Sequence, residues 1–101
     1  MQLPQINTLP VQRITYLQAD HVYVKIHLRQ ADPILVRTSL TALLAQLDKS
    51  RFVRVHRSYA INLAALRQFN SKEVYVDNQP IPVGRAWRKN FYAHLQQLDI
   101  A

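Results

Sequence analysis

Between Val22 and Leu28 the chain alternates without interruption, with Val22, Val24, Ile26 and Leu28 on one side of an extended backbone and Tyr23, Lys25 and His27 on the other. A helix would scatter these apolar side chains around its circumference, so period two predicts a half-buried strand. Such a strand needs partners and a covering layer. The residues that follow offer both. A turn around Gln30-Ala31-Asp32-Pro33 leads into Ile34 to Arg37, where Ile34 and Val36 alternate again, and the two segments predict an antiparallel hairpin. Ile14 to Leu17 forms an earlier strand on the same reasoning.

Thr38 and Ser39 offer a helix N-cap, and Leu40, Leu43, Leu44 and Leu47 then recur at the spacing of one helical face. This predicts one short amphipathic helix lying on a sheet. Asn62 can cap a brief helical turn over Leu63 to Leu66. Val74 with Val76 and Ile81 with Val83 flank Asp77-Asn78-Gln79-Pro80 as a second hairpin. Gly84, the only glycine, divides that hairpin from a closing helix that keeps Trp87, Phe91, Leu95 and Leu98 on one side. A lone glycine there suits a corner whose backbone conformation other residues resist. The order of strands, short helix, strands and helix indicates a mainly β fold of antiparallel sheets, not a βαβ crossover fold. Residues 1–101 make one domain, since single cores of this class span roughly 50 to 200 residues.

Hydrophobic residues form 49% of the chain and charged ones 19%, enough to bury a core. There are no cysteines, which removes disulfides, thiolate metal sites and cysteine nucleophiles together. No stretch approaches the ~20 apolar residues of a membrane span, and the N-terminus lacks the basic-then-apolar form of a secretion signal. The expectation is a cytoplasmic protein with no membrane partner.

The net charge of +7 is unevenly placed. Residues 1–48 hold four basic and three acidic residues, whereas residues 49–98 hold nine basic residues against Glu73 and Asp77 alone. The whole chain has a pI near 10.3, and the excess positive charge gives its second half the electrostatics of a polyanion binder. Within it, RFVRVHRSYAIN (residues 51–62) opens as a buried strand and then breaks its own pattern: Val53 and Val55 point one way, and the next residue on that side is Arg57. An arginine ending an apolar row must leave the core, from a loop or a sheet edge. Lys49, Arg51, Arg54 and Arg57 make one cationic run, and Arg85, Arg88 and Lys89 make another at the start of the closing helix. There the helix dipole disfavours each cation by ~0.3–1 kcal/mol unless an anion binds at that end.

Reactive chemistry finds no assembly. The four histidines (His21, His27, His56, His94) lack a two-ligand spacing, and the acids are scattered singly. Ser58 has His56 two residues away but no oriented base with an oxyanion hole. The expectation is no catalysis, no metal and no cofactor. Arginine, by contrast, reads guanine in the major groove through a bidentate contact, while Ser58, Tyr59 and Lys89 suit phosphate oxygens. For Tyr59 packing in the core is the readier use, and for His56 it is at least as ready as a DNA contact.

The segments ITYLQADHVYVKIHL, VRTSLTALLAQL, RFVRVHRSYAINLAAL and IPVGRAWRKNF stand in the order and at the separations of the LytTR DNA-binding domain family, which the chain resembles over about residues 10 to 95. The most specific match is Phe-x-Arg-x-His-Arg-Ser-Tyr with Asn62 following. The resemblance implies stacked antiparallel sheets, a LytTR-type β sandwich, that enter successive major grooves with loops. It assigns base contacts to His21 (with Val22 beside it), Arg57 and Arg85, and phosphate contacts to Ser58, Arg88 and Lys89. It also implies bacterial transcription regulation, and two copies on repeated half-sites about 10 bp apart. Two features depart from the family pattern. Gly84 stands where a serine is usual, and residues 1–9 are short for the usual N-terminal hairpin, so Met1 opens either a truncated chain or a reduced stand-alone member. A receiver domain would lie outside this length, and with a sensor kinase it becomes a partner if the chain is part of a longer regulator.

Two rival uses of the charge stay open at this point. An RNA or single-strand binding module would stack bases on exposed aromatics, for which Tyr23 and Tyr75 are the candidates. A basic protein-interaction module would show no salt-dependent affinity for DNA.

Overall fold

The structure, a computed structural model, describes residues 10–97. After a 3-10 turn at Val11–Arg13 come β1 (Ile14–Asp20), β2 (Tyr23–Leu28), β3 (Ala31–Arg37), α1 (Leu40–Leu44), β4 (Phe52–His56) and β5 (Tyr59–Asn62). A second 3-10 turn, Leu63–Ala65, leads to β6 (Leu66–Phe69), β7 (Glu73–Val76) and β8 (Gln79–Pro82). A third, Arg85–Trp87, runs directly into α2 (Arg88–Gln97). Strands β3-β2-β1-β5-β4 form one antiparallel sheet and β6-β7-β8 a second.

Two cores sit on the two faces of the larger sheet. On one, Leu40, Leu43 and Leu47 cover Ile14, Leu17, Val24, Ile26, Val36, Phe52 and Ala60. On the other, Val55 and Ile61 meet Val74, Val76 and Ile81 of the smaller sheet and Phe91 and Leu95 of α2. Successive residues of β5 therefore serve different cores, Ala60 the first and Ile61 the second. A shift of register between Ile14 and Tyr16 lets Ile14 and Leu17 reach the same core, because a bulge resets the two-residue period.

The expected strands and both hairpins are present, and several boundaries move. Val22 is not a core residue: it lies in the turn between β1 and β2 and is 52% exposed. Pairing of Asp20 with Tyr23 leaves His21 and Val22 as a two-residue connection, which overrides the alternation at its first position. The β2–β3 connection is Arg29-Gln30, so Pro33 sits within β3, an edge strand where its missing N–H breaks no ladder bond between partners. The second hairpin turns at Asp77-Asn78, with Gln79 and Pro80 already in β8. Helix α1 is capped as expected, the Ser39 hydroxyl accepting from the Ala42 N–H at 3.0 Å. It ends at Leu44, and i→i+3 bonds from Gln46 and Leu47 carry Leu47 back to the core. Asn62 caps the second 3-10 turn by accepting from the Ala64 N–H, and its amide also donates to the Ile14 carbonyl at 2.8 Å. Leu98 lies outside the described residues, as do residues 1–9.

Candidate nucleic-acid interface

The break at Arg57 is a hairpin turn. Residues 51–62 are two strands, β4 and β5, joined at Arg57-Ser58, and Arg57 is exposed. Because β5 pairs with β1, this turn lies beside the one between β1 and β2: Gln18 faces Tyr59, and the Ala19 N–H donates to the Ser58 carbonyl at 2.8 Å. In that neighbouring turn His21 has φ 58°, the left-handed region that histidine enters more readily than most residues. Its side chain is 92% exposed, with the Asp20 carboxylate 3.9 Å away. His21, Arg57, Ser58, Arg54, Thr38 and Thr41 are among the residues around one open depression of about 550 Å³.

The third expected base contact arrives by a different route. The Gly84 N–H donates to the Val55 carbonyl at 2.7 Å, which ties the segment carrying Arg85 to β4 just before the Arg57 turn. Arg85 is exposed and does not line the depression. Gly84 itself has φ −64° and ψ 145°, an extended backbone open to any residue, so the expectation of a special conformation is corrected. What the position requires is room. A Cβ there would stand 3.0 Å from Trp87 Cε3 and 3.4 Å from His56 Cδ2, so the serine usual in the family would require Trp87 to shift.

Among the described residues Arg57, Arg85, Arg88 and Lys89 form no ion pair, and Lys89 is exposed at the start of α2. Arg88 is half-buried and uses its Nε–H on the Val83 carbonyl at 3.2 Å, one of the five donors a guanidinium carries. The run Lys49, Arg51, Arg54 and Arg57 does not share one place: Lys49 and Arg51 stand at the far end of β4, and six residues of strand span ~20 Å.

Several residues turn inward. The His56 Nδ1 accepts from the Ser58 backbone N–H at 3.0 Å, and its ring meets Tyr59 edge-on, which makes it a packed, turn-bracing residue. Tyr59 is half-buried against the second core. His27 stacks on Tyr16 with ring centroids 4.0 Å apart and pairs through Nε2 with Gln18 Oε1 at 2.9 Å. Burial, reinforced by Lys25, pushes its pKa below the ordinary histidine value. Of the two aromatics offered for base stacking, Tyr75 donates its phenol to Glu73 Oε1, whereas Tyr23 is 40% exposed. The contribution of Arg54 escaped the sequence, which presents it only as one member of a cationic run. Its guanidinium donates to the carbonyls of His56 and Arg57 and to the Thr41 hydroxyl, and lies 5.8 Å from the Trp87 ring centroid.

Comparison with known proteins agrees with this architecture. The LytTr DNA-binding domain family matches residues 5–96. A response regulatory protein of Vibrio cholerae is 34% identical over 95 residues, an alignment covering 86% of this chain and 36% of that protein. The CO-responsive transcriptional regulator RcoM of Rhodospirillum rubrum is 34% identical over 80 residues, covering 72% of this chain and 34% of that protein. The chain thus spans about a third of the length of these curated relatives. Among solved structures, the LytTr DNA-binding domain of a methyl-accepting/DNA response regulator from Bacillus cereus superposes with a TM-score of 0.78 at 21% identity, covering 94% of both chains. No helix among the described residues is long and apolar enough to cross a membrane. The chain belongs to the LytTR DNA-binding domain family.

Proposed function

We propose that this chain binds double-stranded DNA in a sequence-specific manner, as the output element of a bacterial transcription regulator, by inserting loops into the major groove. His21, Arg57 and Arg85 read base edges, and Ser58, Arg88 and Lys89 hold phosphates. Two copies occupy repeated half-sites about 10 bp apart, on one side of the duplex. The response-regulator relative fits a longer protein in which a receiver domain governs this element.

The observation that carries this reading is the gathering of three sequence-distant segments at one end of the larger sheet, through Ala19 to Ser58 and Gly84 to Val55, with Arg57 and Arg85 in no ion pair among the described residues. Family membership supplies the ligand class.

Selection of bound duplexes from a random library, followed by titration of the winner and of scrambled DNA at two salt concentrations, tests it. The winner binds at least 10³-fold tighter than scrambled DNA, the lower range for specific sites. Lys89→Ala weakens both duplexes alike and lowers the slope of log K against log salt by ~1. Equal affinity for all duplexes, or preference for single strands, contradicts the proposal.

A further inference from the structure

Arg54 brings together three acceptors, as no other side chain among the described residues does. Its Nε donates to the His56 carbonyl at 3.3 Å, its Nη2 to the Arg57 carbonyl, and its Nη1 to the Thr41 hydroxyl at 2.9 Å. Its guanidinium also faces the Trp87 ring at 5.8 Å, within cation–π range. These contacts reach the first turn of α1, the end of β4 with the turn that follows it, and the 3-10 turn Arg85–Trp87. The side chain is half-buried, and three of its five N–H donors are taken by these protein acceptors.

We infer that Arg54 is the positioning residue of the interface: it fixes the Arg57 turn against α1 and against the segment bearing Arg85, so that both arginines meet the duplex in one geometry. The inference rests on the DNA-binding reading above. The planar guanidinium supplies donors in a fixed fork, whereas a lysine ammonium at the same place is a point charge on a flexible stem and cannot hold three acceptors and an aromatic face together. Preorganisation of this kind acts on selective binding, because a turn that must be ordered on contact loses affinity for the one arrangement of bases it fits.

The test uses the full chain with the selected and scrambled duplexes, over a salt series, for Arg54→Gln, Arg54→Lys, Arg57→Ala and the Arg54→Gln/Arg57→Ala pair. Both Arg54 variants lose about tenfold on the selected duplex, within the range of one base contact, and bind scrambled DNA as wild type does. The salt slope stays unchanged, and the Arg54→Gln loss shrinks severalfold when Arg57 is already alanine. Wild-type binding by Arg54→Lys, together with an equal loss on both duplexes and a slope lower by ~1 in Arg54→Gln, identifies a phosphate contact and overturns the inference. Unchanged affinity in both Arg54 variants overturns it as well. If Arg57→Ala itself leaves selective binding intact, it is the DNA-reading assignment that fails. Should the Arg54 variants not fold, Thr41→Val removes one acceptor without touching charge: a smaller loss confined to the selected duplex sustains the inference, and none overturns it.

Discussion

The two ends of the five-stranded sheet treat positive charge in opposite ways. At the end marked by the β2–β3 connection, Arg29 grips the Asp77 carboxylate through two contacts of 3.0 and 3.2 Å, Arg67 adds a third at 3.3 Å, and Arg13 donates to the Arg29 carbonyl at 2.7 Å. This ion-paired cluster joins the larger sheet to the turn of the smaller one. At the opposite end, Arg57, Arg85 and Lys89 have no carboxylate partner among the described residues. The same residue type is internal fastening at one end and free valence at the other, so net charge alone cannot locate an interface. The pairing of each cation is what distinguishes the two ends.

The largest expected effects separate the ends by what is lost. Arg57→Ala and Arg85→Ala each cost about 1–3 kcal/mol of affinity for the selected duplex and relax preference at one base position. Thermal unfolding stays within about 0.5 kcal/mol of wild type, as for other exposed substitutions. Competition titrations against single-base variants of the site check both. Asp77→Ala does the reverse. It deprives Arg29 and Arg67 of their shared partner and places alanine at φ 54°, so stability falls by about 1–2 kcal/mol, partial exposure holding the effect to the low end for charged hydrogen bonds. DNA affinity of the folded protein is unchanged.

His21 sharpens the contrast within a single residue. Its left-handed backbone is a strain that a structural turn would relieve with glycine. His21→Gly raises stability by up to about 1 kcal/mol in thermal melts while lowering affinity for the selected duplex. A gain in both, or a loss in both, breaks the comparison.

Acid titration probes the fastened end and the sheet interior. Hydrogen bonding from Arg29, opposed in part by burial, holds the Asp77 carboxyl below the ordinary carboxylate range. A depressed folded value means that this stabilisation is present above the unfolded pKa and is lost as pH falls through the folded one. His27 has the same sign: burial favours its neutral ring, so stability begins to fall below the unfolded histidine value of ~6.5. Unfolding temperature therefore decreases in two stages toward acid. His27→Gln removes the upper stage and Asp77→Asn the lower.

How far the sequence foretold this depended on which physical signal was local. Strand β2 was plain because one face is buried and the other is not, whereas β1 packs against cores on both faces and offers no clean alternation. Strand β6, Leu66–Phe69, was not foreseen, because its residues are mostly exposed and only pairing with β7 makes it a strand. The strand β5 hid behind the same pattern break that exposed Arg57. At the proposed interface, Arg57 announced itself by interrupting an apolar row, and Arg85 by following the only glycine. The hydroxyls of Thr38 and Thr41 and the bracing by Arg54 depend on how α1 meets the turn, which no spacing along the chain encodes.

The central claim is that duplex DNA meets the end where cations are unpaired. Amide chemical-shift mapping of the isotope-labelled chain, titrated with the selected duplex, tests it most directly. The account predicts the largest shifts at His21-Val22, Arg57-Ser58 and Gly84 to Lys89, with Arg29-Gln30 and Asp77-Asn78 undisturbed. Shifts concentrated around Arg29, Arg67 and Asp77, with the three loops silent, would contradict it.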